Sequence, residues 1–279
     1  MSTIQLSRTS TRPRSLVTAA LLVTAAACGD DGHDHAHDHT DAAAAPDADV
    51  TPDAPAAAAL TIAHAHLVAG APVTMGTNTP YVNAAGDAFG VTVLRYFVSD
   101  LVLTYTDDTQ HAVPGAHYVD HDVASTRSRQ LDGVPRGELA SVRFVMGLTP
   151  ALNVTGAFTA PPESLMEWPV MMGGGYHYMK FEGRYLNEAG APFAYRCHSG
   201  ALSGIDYSFE VVLDATGHTI GADGTTMAIE MNLEEWFTGP NVWDLDDYFN
   251  ASHPGIMGDA AAQRSLQENG AGVFTLGAP

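Results

Sequence analysis

The chain has 279 residues, 46% of them hydrophobic, enough to fill the core of one large or two small domains. It carries 12 basic against 32 acidic residues, a net charge of −20. That balance excludes nucleic acid and anionic membrane surfaces as partners, since both need a basic footprint, and suits a protein that attracts cations. With 27 Gly and 16 Pro the chain is rich in turns without being collagen-like, as many-stranded β proteins are.

In chain order, the first element is a leader. Arg8, Arg12 and Arg14 precede an apolar run from Leu16 to Ala27 broken only by threonine. This is the charged and hydrophobic pair of regions of a signal peptide over 1–27, and it is too short to span a bilayer. Ala25, Ala26 and Ala27 lead into Cys28. The pattern resembles a bacterial lipoprotein signal, in which the cysteine is lipidated and becomes the mature N-terminus; a plain secretory cut nearby is the alternative. Either way the chain is expected to be exported to the periplasm or cell surface, anchored by lipid to the outer membrane in the first case. Only Cys197 then remains, and no intramolecular disulfide can form.

Residues 28–59 are dominated by Asp, His, Ala, Pro and Thr, with almost nothing to bury, and read as a disordered tether. Its run GHDHAHDH places His33, His35, His37 and His39 in alternation. Without a core to hold the imidazoles rigid, each ligand carries an ordering cost, so this is expected to be a loose, low-affinity metal-collecting tail.

From Leu60 onward period-2 alternation dominates. Leu60, Ile62, His64, His66 and Val68 fall on one strand face, followed by a turn at Gly70-Ala71-Pro72. Val91 to Tyr105 is rich in β-branched and aromatic residues and reads as a long or bent strand. Alternation recurs at Val142–Met146, Ile205–Val211 and Met227–Leu233. Helices are expected only late, over Leu233–Phe237, Val242–Phe249 and Asp259–Glu268, the last stopping at Asn269-Gly270. The expected fold is mainly β, a single antiparallel β-sandwich-like domain over 60–279 with a few short helices near the C-terminus.

The sharpest local signal in this domain is His64-Ala65-His66. Residues i and i+2 of a strand share a face, so both imidazoles point the same way about 6–7 Å apart. Imidazole suits copper, zinc and iron; the competing reading is a pair of packed histidines. In Tyr195-Arg196-Cys197-His198-Ser199-Gly200, neighbouring Cys197 and His198 face opposite sides of a strand and cannot form a catalytic dyad. Cys197 is therefore expected in the core and His198 at a strand end, where it can ligate. Met171, Met172 and His177 flank a Gly-rich turn; a thioether is a soft donor for Cu(I), although core filling is its commoner job. Asp244, Asp246 and Asp247 lack the glycine and the twelfth-position glutamate of an EF-hand loop. No hydrolase, zinc-protease or haem-attachment motif is present, and His111, His117, His121, His218 and His253 are scattered.

Taken in order, the landmarks resemble the MbnP-type copper-binding proteins, an exported bacterial family. They are the H-x-H strand, Tyr81-Val82-Asn83-Ala84-Ala85-Gly86, Leu94 to Leu103 (LRYFVSDLVL), Met166-x-Trp168, Gly175-Tyr176-x-Tyr178-Met179-Lys180-Phe181-Glu182-Gly183, Phe193-x-Tyr195-x-x-His198-x-Gly200 and Trp236-Phe237-x-x-Pro240. The resemblance implies a β-sandwich-like fold and a mononuclear copper held by histidines. By position the ligands are His66, His198 and His64, with His177 and Met171 as weaker candidates. It also implies that a tryptophan can be oxidised to kynurenine at the copper, with Trp168 the matching residue, and that the partner is an MbnH-type di-haem c-type cytochrome related to peroxidases. The chain departs from the family in lacking the second tryptophan, near Val170, and in two residues inserted before Tyr176. The function expected is copper acquisition or homeostasis without catalysis. The alternatives are a structural or adhesive surface domain without a specific metal and a copper-dependent oxidase.

Overall fold

The structure, a computed structural model, describes residues 56–279; Cys28, the signal segment and the His33–His39 tail lie outside the described residues. The first strand, β1 (Ala57–Val68), buries Leu60, Ile62, His64, His66 and Val68 in alternation. Two imidazoles thus continue the face that aliphatic side chains occupy upstream, and they enter the interior with it.

β1 lies inside a five-stranded sheet. One edge pairs with β12 (Thr225–Asn232), in parallel from Leu60↔Thr225 to Leu67↔Asn232. The other edge pairs antiparallel with β6 (Ser128–Pro135) and then β2 (Ala71–Pro72). β13 (Phe274–Leu276) completes the sheet beyond β12. Among the described strands this is the one parallel pair in an otherwise antiparallel arrangement, as the expected fold class has it.

The second, eight-stranded sheet is organised by β4 (Ala88–Tyr105), eighteen residues long. Its first half pairs with β8 (His177–Leu186) and its second half with β7 (Gly137–Met146). The opposite edge takes β3 (Tyr81–Val82) and β5 (Gln110–Asp120). β9 (Pro192–Gly200) extends the sheet beyond β8, and β10 (Phe209–Asp214) and β11 (Thr219–Ile220) pair with β7.

A single large core joins the inner faces of both sheets: Leu60, Ile62, Ile229 and Met231 from the first, Leu94, Tyr96, Phe144, Phe181 and Cys197 from the second. Each such side chain contributes about 1.5–3 kcal/mol by leaving water. The outer face of the second sheet carries a smaller cluster of Phe97, Tyr118, Leu148, Met166, Tyr176 and Tyr178 under the connection 147–176. Neighbouring Tyr96 and Phe97 thus belong to different cores, and the sheet between β4 and β9 separates two environments.

The late helices fall where the sequence puts them: a 3-10 turn over Leu233–Phe237, α1 (Leu245–Tyr248) and α2 (Ala260–Asn269). Asp259 caps α2 by accepting from Ala261 N and Ala262 N, and buried Gln263 donates to the His198 carbonyl at 2.6 Å, tying the helix to β9. Asp244 is likewise spent as a cap, and Asp246 accepts from Tyr185 and the Glu188 amide. The strand expected from Ile205 begins only at Phe209, because the Asp206 carboxylate takes the Ser208 amide and hydroxyl and the Tyr178 hydroxyl, fixing a turn there.

Candidate metal centres on the two faces of one sheet

The outer constellation arises from strand register. Phe181↔Cys197 and Gly183↔Tyr195 point into the core, so Lys180↔His198 and Glu182↔Arg196 point out. A shift in the ladder between His177 and Met179 places His177 opposite Gly200, on the outward face with His198 rather than on the inward face of Met179. The two imidazole rings lie 5.0 Å apart, edge to face.

Their protons are committed elsewhere. His177 Nδ1 donates to the Met166 carbonyl at 2.9 Å, which leaves Nε2 as a lone pair. His198 Nε2 donates to Glu182 Oε1 at 2.8 Å, leaving a buried Nδ1 without a hydrogen-bond partner. The bond from His198 holds the Glu182 carboxyl below its usual range. Burial, with Lys180 next in weight, lowers His177 to about 3, so it is neutral at pH 7.

Trp168 closes one side, its ring 4.7 Å from His177, buried, with an unpartnered indole N–H. It can lie this close to β9 only because residue 200 is glycine: a Cβ there would stand 2.8 Å from the indole Cε3. The other side opens to a pocket of about 420 Å³ lined by His198, Met172, Met257, Arg196, Gly255 and Gly258.

The inner constellation lies across the sheet. His64 and His66 are each only 4% exposed. The Tyr96 hydroxyl sits 3.0 Å from His66 Nε2 and 3.4 Å from His64 Nδ1. His66 Nδ1 lies 2.9 Å from Nδ1 of His121, just past β5, and the His64 ring stacks on His117 of β5 at 5.4 Å. Burial, reinforced by the neighbouring imidazoles, lowers both His64 and His66 to about 3. Burial also raises the Tyr96 phenol far above its usual value, so it stays protonated. His117 Nε2 is buried without a partner, and a cavity of about 20 Å³, enough for one water, lies against His64 and His117.

The structure therefore does not bring His64, His66 and His198 together. His198 pairs with Lys180, which pairs with Arg95, while His64 and His66 touch Tyr96, the next residue along β4 and on its other face. Met171 is 91% exposed and turned away; its neighbour Met172 lines the pocket instead. Among the described residues, no three His, Cys, Asp or Glu side chains already surround one point at ligand distance. Each constellation is a pair of imidazoles, His177 with His198 and His66 with His121, with further donors beside it. Sequence reasoning missed Glu182, whose partnership depends on cross-strand register. It also passed over His117 and His121, which lie more than fifty residues from the imidazoles they meet; their spacing within β5 and its end was the only available signal.

The structure is a β protein with imidazole pairs set on opposite faces of a sheet. The MbnP family model matches residues 57–257, and the chain belongs to that family. Among solved structures it is similar to MbnP from Methylosinus trichosporium, with a TM-score of 0.50, 13% identity, and coverage of 79% of this chain and 98% of that one. At that identity the likeness concerns the fold. No curated protein matches the chain.

Proposed function

We propose that this copper-associated protein of the MbnP type holds one copper on the outer face of the second sheet, between His177 Nε2 and His198 Nδ1. The observation that carries the reading is the commitment of one N–H of each ring, one to a backbone carbonyl and one to Glu182, leaving His198 Nδ1 buried without a protein partner beside the His177 ring. Ligating histidines elsewhere are held in this way, the other ring nitrogen donating to a carboxylate or carbonyl. Met172 and Met257 on the pocket wall add soft thioethers, a donor set that favours Cu(I). The metal supplies Lewis acidity or an electron when bound; the chain's part is to fix the tautomers, screen the site with Trp168 and leave one side open. The role proposed is copper acquisition or homeostasis.

Two further parts of the reading follow from family resemblance and a third from the leader pattern. Trp168, packed on His177, is the tryptophan proposed to be oxidised to kynurenine, and an MbnH-type di-haem protein is the proposed partner. The chain is proposed to be exported and anchored through lipid on Cys28. A mass spectrum of the mature protein reads both modifications at once. For the site itself, the test is copper retained after dialysis against a weak competitor. With the four tail histidines replaced, the parent is expected to keep copper that His198→Ala loses. Equal retention by His198→Ala would sink the assignment, and no retention by either would favour a domain whose histidines only pack.

A further inference from the structure

We propose that the pocket beside His198 binds a small organic acid as its anion, with the carboxylate on the Arg196 guanidinium and the apolar body on Met172 and Met257. Those three residues, His198, Gly255 and Gly258 line a space of about 420 Å³. Small-molecule sites are built in this way, mainly from apolar walls with a few polar groups that fix orientation. On this wall Arg196 is the only Lys, Arg, Asp or Glu.

The guanidinium is open to an anion. Its nearest carboxylate, Glu182, stands 3.8 Å from Arg196 Nε, beyond hydrogen-bond reach, and spends its other oxygen on His198 at 2.8 Å. Among the described residues no carboxylate therefore fills the guanidinium fork, whose parallel N–H groups match the two oxygens of one carboxylate. Glu182 also faces Lys180, so this part of the sheet sets two cations against one carboxylate, although the chain as a whole has a net charge of −20. An anion is drawn here in preference to the acidic surface elsewhere.

The shape suits an acid with an apolar body better than a bare inorganic anion. Two flexible thioethers form one side and adapt to what they touch. The other side is chain 255–258 along the outer edge of β9, where Gly255 bridges to Arg196 and the Ile256 amide donates to the Arg196 carbonyl. Neither Gly255 nor Gly258 takes a positive φ, so turn geometry does not ask for glycine at either position. A Cβ at 258 would stand 3.9 Å from Met172 Cε, and one at 255 would stand 3.4 Å from the Arg196 Cβ. Larger side chains would thus start against two of the pocket's own walls, and glycine keeps the space open. Arg196 and His198 alternate on one face of β9 about 6–7 Å apart, so a carboxylate held by the first lies beside the second. What the acid does there rests on the copper reading: an oxygen donor next to imidazole nitrogens suits copper(II), which makes the acid an exchangeable ligand on the open side of the site.

The test uses the full, metal-free chain with carbon-13 in its methionine methyl groups, and hexanoate as the probe. Hexanoate is expected to shift the methyl signals of Met172 and Met257 saturably and to leave that of exposed Met171 in place. Arg196→Gln is expected to weaken binding at least tenfold, Arg196→Lys to restore part of it, and Gly258→Val to weaken it with the charge intact. Circular dichroism checks that each variant folds. No saturable shift in the parent, equal binding by folded Arg196→Gln, or displacement of hexanoate by an equal concentration of inorganic phosphate would overturn the proposal. On the chain loaded with copper(II), its tail histidines replaced, hexanoate is expected to change the electron paramagnetic resonance spectrum of the parent and not that of Arg196→Gln. An unchanged spectrum in a parent that holds copper would overturn the ligand role. The methyl shifts are read without metal, so they stand or fall separately from the copper assignment, which His198→Ala tests.

Discussion

Glu182 determines which nitrogen of His198 is free. Replacing it by Gln keeps the shape but removes the charge that fixes the tautomer, and the new amide can donate to the ring as readily as accept from it. Loss of such outer partners costs about 10–100-fold in metal affinity. Glu182→Gln is therefore expected to weaken copper binding by about tenfold or more in a competition titration while leaving the thermal midpoint of the metal-free protein nearly unchanged. An unaltered affinity would remove Glu182 from the site. His64, His66 and His177 make a second prediction. Each is lowered by burial from an ordinary value of 6.5 to about 3. The unfolded chain takes up these protons first, so the stability held by the three neutral rings is complete above about pH 6.5 and is lost as pH falls towards 3. Each proton taken up only on unfolding weakens the fold by about 1.36 kcal/mol for every pH unit of acidification within that window, so the metal-free protein is expected to lose several kcal/mol across it. Urea midpoints at pH 7, 5.5 and 4.5 check this; a flat profile contradicts it.

Among elements, the β8–β9 pair positions the outer site, and its closeness to Trp168 depends on one missing side chain. Gly200→Ala introduces a methyl 2.8 Å from the indole. Overpacking of this kind costs about 1–3 kcal/mol. The variant is expected to lose that much stability, shift the tryptophan fluorescence and release copper faster, since the ring must move off β9 and away from His177. A variant identical to the parent in near-ultraviolet circular dichroism would show that the indole does not rest there. These same strands mark how far the sequence could be read. Alternation is enough to place Cys197 inward and His198 outward, because a strand's own period decides that. It is not enough for His177, whose face is reversed by a ladder shift that no local pattern announces. β5 escapes a sequence reading for a related reason: Pro114 and Gly115 interrupt its pattern, and its inward His117 reads as polar until β1 is known to oppose it.

For the molecule as a whole, the sandwich-like β class and the late helices are legible in the sequence because they depend on local pattern and turn residues. The splitting of the histidines between two faces is not, because it depends on which strands become neighbours across the full chain. Metal binding is expected to report on the entire fold. At a free copper concentration about a hundredfold above the dissociation constant, one site adds about 2.7 kcal/mol. At about 2–4 °C per kcal/mol for a domain of this size, the thermal midpoint is expected to rise by about 5–10 °C. A chelator is expected to reverse the rise, and scanning calorimetry with and without copper measures it; no shift would mean that copper does not discriminate the folded from the unfolded chain.

The parallel pairing of β1 with β12 has a consequence for timing. During synthesis, the strand bearing His64 and His66 emerges early, whereas its partner Thr225–Asn232 comes near the end. Pairing so distant in sequence is slow to form and cannot precede the arrival of the later strand. Until then both imidazoles stay wet and apart from their native neighbours. The interior histidine cluster is thus assembled only in a nearly finished molecule, so a chain halted or truncated before residue 225 would expose its histidines without burying them. Completion of the polypeptide itself is therefore the condition for burying these histidines.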